Sequence, residues 1–351
     1  MSRSKNIYTL IKELEEIDWN YYAAAVNNIT LDKPFISDLS ARDFILKYFA
    51  KGGKHLVTNR FNIADFGTAR AEHTVSIFFI GILIYQNSIL KDKVFYNGKV
   101  NARFDFFSFI WFVSSLAHDF AFYKEKKVDE PILWENNPTI NDLLINEGIY
   151  YNLLEQKVPN VPQDLFKLVS AYFNYRHLKE NTDHGILAGL VAYDILVENR
   201  KVQQGIGDDI LLWEDYLDDE YAYAAATIAI HNIWLIPKGH VCEVITNSGL
   251  AELIGREPVK FDEGPLYYLL SIVDTIDPFK AYSTKETPLE VSYVLRNVKI
   301  KFISKTCFEI TVSKKLNPEV LHLKGKNLLE FLDLNVIKVK NGIRIEIIAN
   351  Q

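Results

Sequence analysis

The sequence predicts a mainly α-helical protein with a small α+β domain at its C-terminal end. Long apolar segments recur up to residue 290, and runs such as FFSFIWFVSSLAH and YAYAAATIAIH are too long for strands and suit buried helices. After residue 290, VKIKFISKTCFEITV and VIKVKNGIRIEII alternate apolar and polar residues with period two, which is typical of strands.

The helical part can be followed in chain order. Short amphipathic helices are predicted at 7–17 and 40–50, and a loop containing Gly and Asn is predicted at 51–68. Longer helical segments then follow at 70–90, 104–119, 140–155, 163–179, 183–198, 218–234 and 264–276.

The tail has a different pattern. LLEFLDL (328–334) predicts a short helix between strands, and Asn341-Gly342 between two strand patterns predicts a hairpin. We therefore expect an N-terminal helical extension (1–67), a helical core (68–290) and a small α+β tail domain (291–351).

Composition excludes several classes of protein. The 351 residues are 48% hydrophobic and 24% charged, as in an ordinary folded protein rather than a disordered one. The formal net charge is −6 without a dense basic run, which argues against a long nucleic-acid partner.

Cys242 and Cys307 lie far apart, so neither a disulfide framework nor a cysteine zinc site is expected. The first residues lack the apolar core of a signal peptide, and we expect a cytoplasmic location.

One uncharged stretch has two interpretations. TVSIFFIGILIYQNSIL (74–90) has only 17 residues and includes several polar ones, whereas a membrane span needs about 20 predominantly apolar residues. We therefore interpret it as a buried core helix and expect no membrane association.

Ionisable side chains occur where the helical pattern is most apolar. Burying a carboxylate is costly unless it is paired, hydrogen-bonded or bound to a metal. Imidazole and carboxylate together suit Fe, Mn, Ni, Co or Zn, so binding of metal ions by these side chains would explain why all of them occur in apolar surroundings. These residues are His73, His118, Asp119, His184, His231 and Asp274.

Each of these residues alone has a simpler explanation. A single His at the end of an apolar helix is more often a hydrogen-bonded core residue, and a single buried Asp more often a cap or an ion-pair partner. Only the joint pattern favours metal binding. Six ligands are enough for two divalent transition metal ions, with one carboxylate bridging them.

The order of these residues resembles the HD-domain metal-dependent phosphohydrolase superfamily. Successive motifs are separated by 45, 65, 47 and 43 residues, and the resemblance covers about residues 68–282. It implies an HD-domain helical bundle in which His73, His118, Asp119 and Asp274 are the common ligands. His184 and His231 match the extra ligands of members with a binuclear centre. The sequence departs from the common HDIGK pattern, since it has HDFAFYK here.

The resemblance implies hydrolysis of a nucleotide or another small phosphoester by a metal-activated water. Two alternatives remain at this stage. Some HD-type proteins with the same ligand order are diiron oxygenases, and a nucleotide-sensing module without turnover would keep the same residues. The tail domain either caps the helical body or pairs its exposed strands with a second copy, giving a homodimer.

Neighbouring residues are candidates for catalysis and substrate binding. Arg70 lies three residues before His73 and could clamp a phosphate, or form only a surface ion pair. Asp183 could orient a ligand histidine or cap a helix. His118, Asp119, Arg70 and Asp183 are the predicted catalytic set, and Arg70, Lys124, His177 and His240 are the predicted substrate contacts.

Overall fold

Helices form most of the chain, and one antiparallel sheet lies in its C-terminal part. The computed structural model describes residues 4–25, 27–93, 95, 106–124, 139–178, 182–206, 211, 213–236, 243–284 and 287–349. The helices found there are α1 (Ile7–Glu13), α2 (Glu16–Trp19), α3 (Ala41–Lys51), α4 (His55–Arg60), α5 (Thr68–Asn87), α6 (Phe106–Ala117), α7 (Ile140–Asn146), α8 (Gln163–Lys167), α9 (Val169–Leu178), α10 (His184–Ile206), α11 (Leu217–Ile230), α12 (Glu243–Asn247), α13 (Pro265–Ile276), α14 (Pro278–Tyr282), α15 (Val291–Asn297) and α16 (Pro318–Leu329). The strands are β1 (Lys5–Asn6), β2 (Val298–Ser304), β3 (Cys307–Val312), β4 (Leu334–Val339) and β5 (Gly342–Ile347).

The mainly helical prediction is confirmed, with local differences. The segment predicted as one helix over 140–155 ends early, because Gly148 adopts a positive φ of 64° and its N–H bonds to the Ile145 carbonyl, which closes α7. The predicted loop at 51–68 contains α4 and a 3₁₀ turn at Ile63–Asp65.

Packing between α5 and α6 depends on Gly81. A Cβ at this position would lie 2.0 Å from Cζ2 of Trp111, so only glycine lets the indole lie against the α5 backbone. The Trp111 Nε1 also donates to the Phe78 carbonyl at 2.9 Å. These contacts fix α6 relative to α5 and so place His118 relative to His73.

A similar close approach joins α10 and α11. A Cβ at Gly189 would lie 2.5 Å from the Ala225 carbonyl oxygen, so the two helix backbones meet directly here. Residues along α5, α10 and α11 are buried almost without interruption, which agrees with the interpretation of 74–90 as a core helix. Among the described helices, none has both the length and the hydropathy that crossing a membrane requires.

The sheet confirms the strand and hairpin predictions. Its order is β1-β2-β3-β5-β4 and every pairing is antiparallel. β4 and β5 form the hairpin, in which Val339 pairs with Gly342. Lys5 in β1 pairs with Ile300 in β2, so the N-terminal segment adds an edge strand to the C-terminal sheet. The three-part division of the chain stays a prediction.

The tail helix does not lie where the sequence analysis placed it. The predicted helix at 328–334 is wrong for most of its length, since α16 spans Pro318–Leu329 and Leu334 already starts β4. Asn317 caps α16 by accepting the N–H of Glu319, and Pro318 at the first position is favourable because it needs no donor there.

Lys54 is a buried cation outside the predicted site. It is 2% exposed and donates to the Tyr22 hydroxyl at 2.8 Å and to the Gly52 carbonyl at 2.9 Å. Four aromatic rings surround its Nζ, the nearest being Trp213 with its centroid at 4.6 Å. Burial lowers the pKa of Lys54 to about 7, while the rings act in the opposite direction by attracting the charged form.

This lowered pKa predicts a pH-dependent stability. Above pH 7 the unfolded chain binds a proton at Lys54 that the folded chain does not, so the free energy of unfolding should rise from pH 7 to pH 9. The rise should be smaller in Lys54→Met, measured as the shift of the thermal unfolding midpoint. Lys47→Met, at an exposed position of α3, should behave like the wild type. An equal rise in Lys54→Met would contradict this assignment.

Candidate metal centre

The six predicted ligands lie mainly at the ends of helices, where side chains from different helices can meet. His73 is in the second turn of α5, and His118 and Asp119 directly follow α6. His184 is the first residue of α10 and His231 follows the last residue of α11. Asp274 lies in the last turn of α13. The structure therefore brings together residues that are separated by up to 201 positions.

Two groups of potential ligand atoms share one carboxylate. The first consists of His73, His118 and Asp119, and the second of Asp119, His184 and His231; within each group the atoms lie within 4.8 Å of one another. Asp119 Oδ2 is 3.5 Å from His73 Nε2 and 3.3 Å from His118 Nε2. Its Oδ1 is 3.2 Å from His184 Nε2. The two oxygens of Asp119 thus face different histidines.

Asp274 lies beside the first group. Its Oδ1 is 3.1 Å from His73 Nε2 and 3.9 Å from His118 Nε2. Lys280 donates to the same oxygen at 2.7 Å. All six residues named from the sequence therefore converge on one cluster.

Backbone hydrogen bonds determine which imidazole nitrogen faces the cluster. His118 Nδ1 lies 2.7 Å from the Ser115 carbonyl, and His231 Nδ1 lies 2.6 Å from the Ile228 carbonyl. A carbonyl oxygen only accepts, so each Nδ1 is the donor and each Nε2 faces the cluster. For His118, Nε2 lies 3.3 Å from Asp119 Oδ2, an arrangement that needs a metal ion or a proton between the two atoms.

Asp277 orients His73 in the same way. Its Oδ2 accepts from His73 Nδ1 at 2.8 Å and its Oδ1 accepts from the Ser76 hydroxyl at 2.5 Å. The Nε2 atoms of His73 and His118 are buried beside carboxylate oxygens, but among the described residues neither makes a hydrogen bond of good geometry. A carboxylate on the remote nitrogen and an unpartnered Nε2 are typical of metal-binding histidines. Asp277 is not among the ligands predicted from the sequence, although an Asp before Pro278 is a recognisable helix-start signal.

The electrostatics of the cluster keep its acids ionised. Burial alone would raise the pKa of Asp119, but His118 and Arg70 hold it well below its usual value. Arg70 donates to Asp119 Oδ2 at 2.5 Å. Burial alone would also raise the pKa of Asp274, but Lys280 and His73 hold this pKa well below its usual value. Ionised carboxylates are the form that binds metals.

The pKa values of His231 and His73 shift in opposite directions. Burial and the neighbouring His184 and His118 lower the pKa of His231 to about 3, so this ring is neutral at neutral pH. Burial alone would lower the pKa of His73, but Asp274 and Asp277 beside it raise it overall. These nitrogen and carboxylate donors could hold a metal ion, and the mixture suits first-row transition metals better than Ca²⁺ or Mg²⁺.

Gly185 and Asp183 position the second group. A Cβ at Gly185 would lie 2.8 Å from the His231 ring, so this glycine lets α10 begin directly beside that histidine. Asp183 caps α10 by accepting the Ile186 N–H at 2.9 Å and also accepts from Asn232 Nδ2 at 3.0 Å. Asp183 therefore caps α10 and links its start to the end of α11, and its orienting role toward a ligand histidine stays a prediction.

A cavity of about 640 Å³ opens beside the first group. Arg70, His73 and Lys280 reach it, and the Arg70 guanidinium carbon lies 3.4 Å from the centroid of the Phe122 ring. Much of the remaining wall is aromatic, formed by Phe61, Phe66, Phe122, Tyr123 and Phe279. An organic group with a ring could pack there, with cations at the side nearest Asp119.

The other three predicted substrate contacts are described by the structure to different extents. His177 lies on α9, where its ring packs against Phe173. Lys124 ends a 3₁₀ turn (Phe122–Lys124), and its side chain lies outside the described part of the structure. His240 lies outside the described residues. A role in substrate binding stays a prediction for all three.

Comparison with known proteins identifies no relative of this chain. No protein-family model, curated protein or solved structure matches this chain. The resemblance to the HD-domain superfamily therefore stays a hypothesis that rests on the order of the ligands and on their convergence.

The contact between Asp277 and His73 predicts a measurable effect on metal affinity. Asp277→Asn keeps the size of the side chain but removes the charge that fixes His73, so affinity should fall by about 10–100-fold. Competition with a metal-indicator dye would measure this. Asp164→Asn, an exposed acid on α8, is the matched control and should bind like the wild type. Equal affinities for the two variants would refute the orienting role.

Proposed function

We propose that this protein is a phosphohydrolase that acts on a nucleotide or another small phosphoester and holds two transition metal ions. The single observation that supports this most strongly is the placement of Asp119. Its two oxygens face two groups of histidines, as expected of a carboxylate that bridges two ions.

Each ion would have its own set of protein ligands. His73, His118 and Asp274 would hold one, His184 and His231 the other, and Asp119 both. When bound, such ions lower the pKa of water and neutralise charge on a phosphoryl oxygen. The chain contributes rigid ligand positions, because Asp277, Ser115 and Ile228 fix the remote nitrogens of three histidines.

Arg70 and Lys280 are suited to hold the phosphoryl group. Both reach the 640 Å³ cavity and both already lie against ligand carboxylates. A guanidinium has five N–H donors, so Arg70 can bind Asp119 through one and offer others to phosphate oxygens. The aromatic wall would pack against the organic part of the substrate. Cations at the cavity favour an anionic substrate, a phosphoester or the phosphonate of an oxygenase, over a small neutral alcohol.

Metal stoichiometry in a set of variants tests the two-ion assignment. Wild-type protein purified without chelator or affinity nickel should contain about two equivalents of transition metal by mass spectrometry. His231→Ala should retain about one equivalent and Asp119→Ala close to none, because Asp119 serves both groups. His55→Ala, at an exposed position, should match the wild type. One equivalent in the wild type, unchanged in His231→Ala, would contradict the binuclear centre.

Phosphate release from a panel of nucleotides and small phosphoesters tests the reaction. Turnover should require metal and should fall by at least about a hundredfold in Asp119→Ala but not in His55→Ala. Bound metal without turnover of any substrate would favour a sensing module. Iron with a mixed-valence resonance signal would favour an oxygenase instead.

A further inference from the structure

A second cavity reaches other residues of the cluster and is partly formed by the C-terminal part of the chain. It has a volume of about 160 Å³ and touches His231, Asp274 and Lys280. Lys324 and Asn327 on α16 form another part of its wall. The helix that packs against the sheet therefore contributes side chains next to the metal centre.

The lining of this cavity combines cationic and amide side chains with an acid, Asp274, and with apolar side chains. Lys280 and Lys324 both face it, and only Lys280 is paired with a carboxylate, Asp274, among the described residues. The Asp274 carboxylate lines the same cavity and offsets one of the two ammonium charges, so one positive charge remains for an anion to balance. Burial and the nearby Lys280 lower the pKa of Lys324, in keeping with a cation held in a confined space. Asn232 and Asn327 add amide donors.

Size restricts what the cavity can hold. This cavity, at about 160 Å³, is much smaller than the first one, at about 640 Å³, and suits a group the size of a phosphate better than a nucleoside. The 640 Å³ cavity has room for the organic part of a substrate. The two cavities share Lys280, so a ligand in the small cavity would lie close to the reacting group.

We propose that Lys324 and Asn327 of α16, together with Lys280 and Asn232, form a phosphate-binding site beside the metal centre. The source of the phosphate rests on the proposed function: it is the inorganic phosphate released by hydrolysis or a second phosphoryl group of the substrate. The tail of the chain is then part of the active site and not only a cover for the helical body.

Binding of inorganic phosphate to the metal-free full chain provides the test. Calorimetry on chelator-treated protein should detect phosphate binding that weakens by about tenfold or more in Lys324→Met and in Asn327→Leu. Lys326→Met, an exposed lysine two residues along the same helix, is the matched control and should bind like the wild type. Lys324→Arg keeps the positive charge and should bind phosphate nearly as well as the wild type. Binding by this variant but not by Lys324→Met would show that the charge, and not only the fold, is required. No binding by the wild type, or equal binding by Lys324→Met and Lys326→Met, would overturn the proposal.

Experiments on the metal-loaded protein distinguish the two sources. If the site holds released phosphate, Lys324→Met should weaken product inhibition by inorganic phosphate and leave KM unchanged. If it holds a second phosphoryl group, the variant should lose a preference for diphosphates over monophosphates. Loss of phosphate binding in Lys324→Met with no hydrolysis of any phosphoester would refute the proposed function alone. Hydrolysis with phosphate binding unaffected by the variant would refute the phosphate site alone.

Discussion

The burial of the Asp119 carboxylate is the constraint on which the rest of the structure depends. This side chain is 3% exposed and lies within 3.5 Å of Nε2 atoms from three histidines. Removing an ionised carboxylate from water costs several kcal/mol unless positive charge replaces the lost solvation. Arg70 supplies one such charge, and the lone pairs on the imidazoles create a place for another. The helices that carry these groups must therefore start or end at the same point.

Close backbone packing makes that convergence rigid. Gly81 lets Trp111 lie against α5, Gly189 lets α10 touch α11, and Gly185 lets α10 start beside His231. Each approach leaves no room for a Cβ, so the helices have little freedom to slide along one another. A cluster of polar groups needs this rigidity, because a ligand displaced by 1 Å no longer meets its ion. The aromatic core thus determines the geometry of a site to which it contributes no ligand.

The sequence allowed the cluster to be predicted better than its surroundings. His118 and Asp119 were recognisable because ionisable residues inside an apolar helical pattern need a reason to be buried. Asp277 has only the signal of a helix cap and Lys324 has none, because their contacts with the cluster depend on which helix packs opposite them. The prediction of a helix at 328–334 is wrong because the apolar residues at the end of α16 run on into β4 without a clear break. The cap at Asn317 is the stronger signal for where this helix begins. The local sequence pattern predicts whether a segment is a helix or a strand. Which side chains of distant segments contact one another is decided by tertiary packing, which that pattern does not contain.

Charge balance argues for an anionic substrate independently of any resemblance. Asp119 and Asp274 are already matched by Arg70 and Lys280, so of the three carboxylates only Asp277, which is hydrogen-bonded to His73, has no ion pair with an Arg or Lys of the described residues before an ion binds. Each divalent ion would add two positive charges that neutral imidazoles cannot offset. A neutral substrate would leave that excess in a buried site, whereas a phosphate group carries the opposite charge and oxygen atoms for the donors. The cations that line both neighbouring cavities would then guide such a group to the cluster and bind it there.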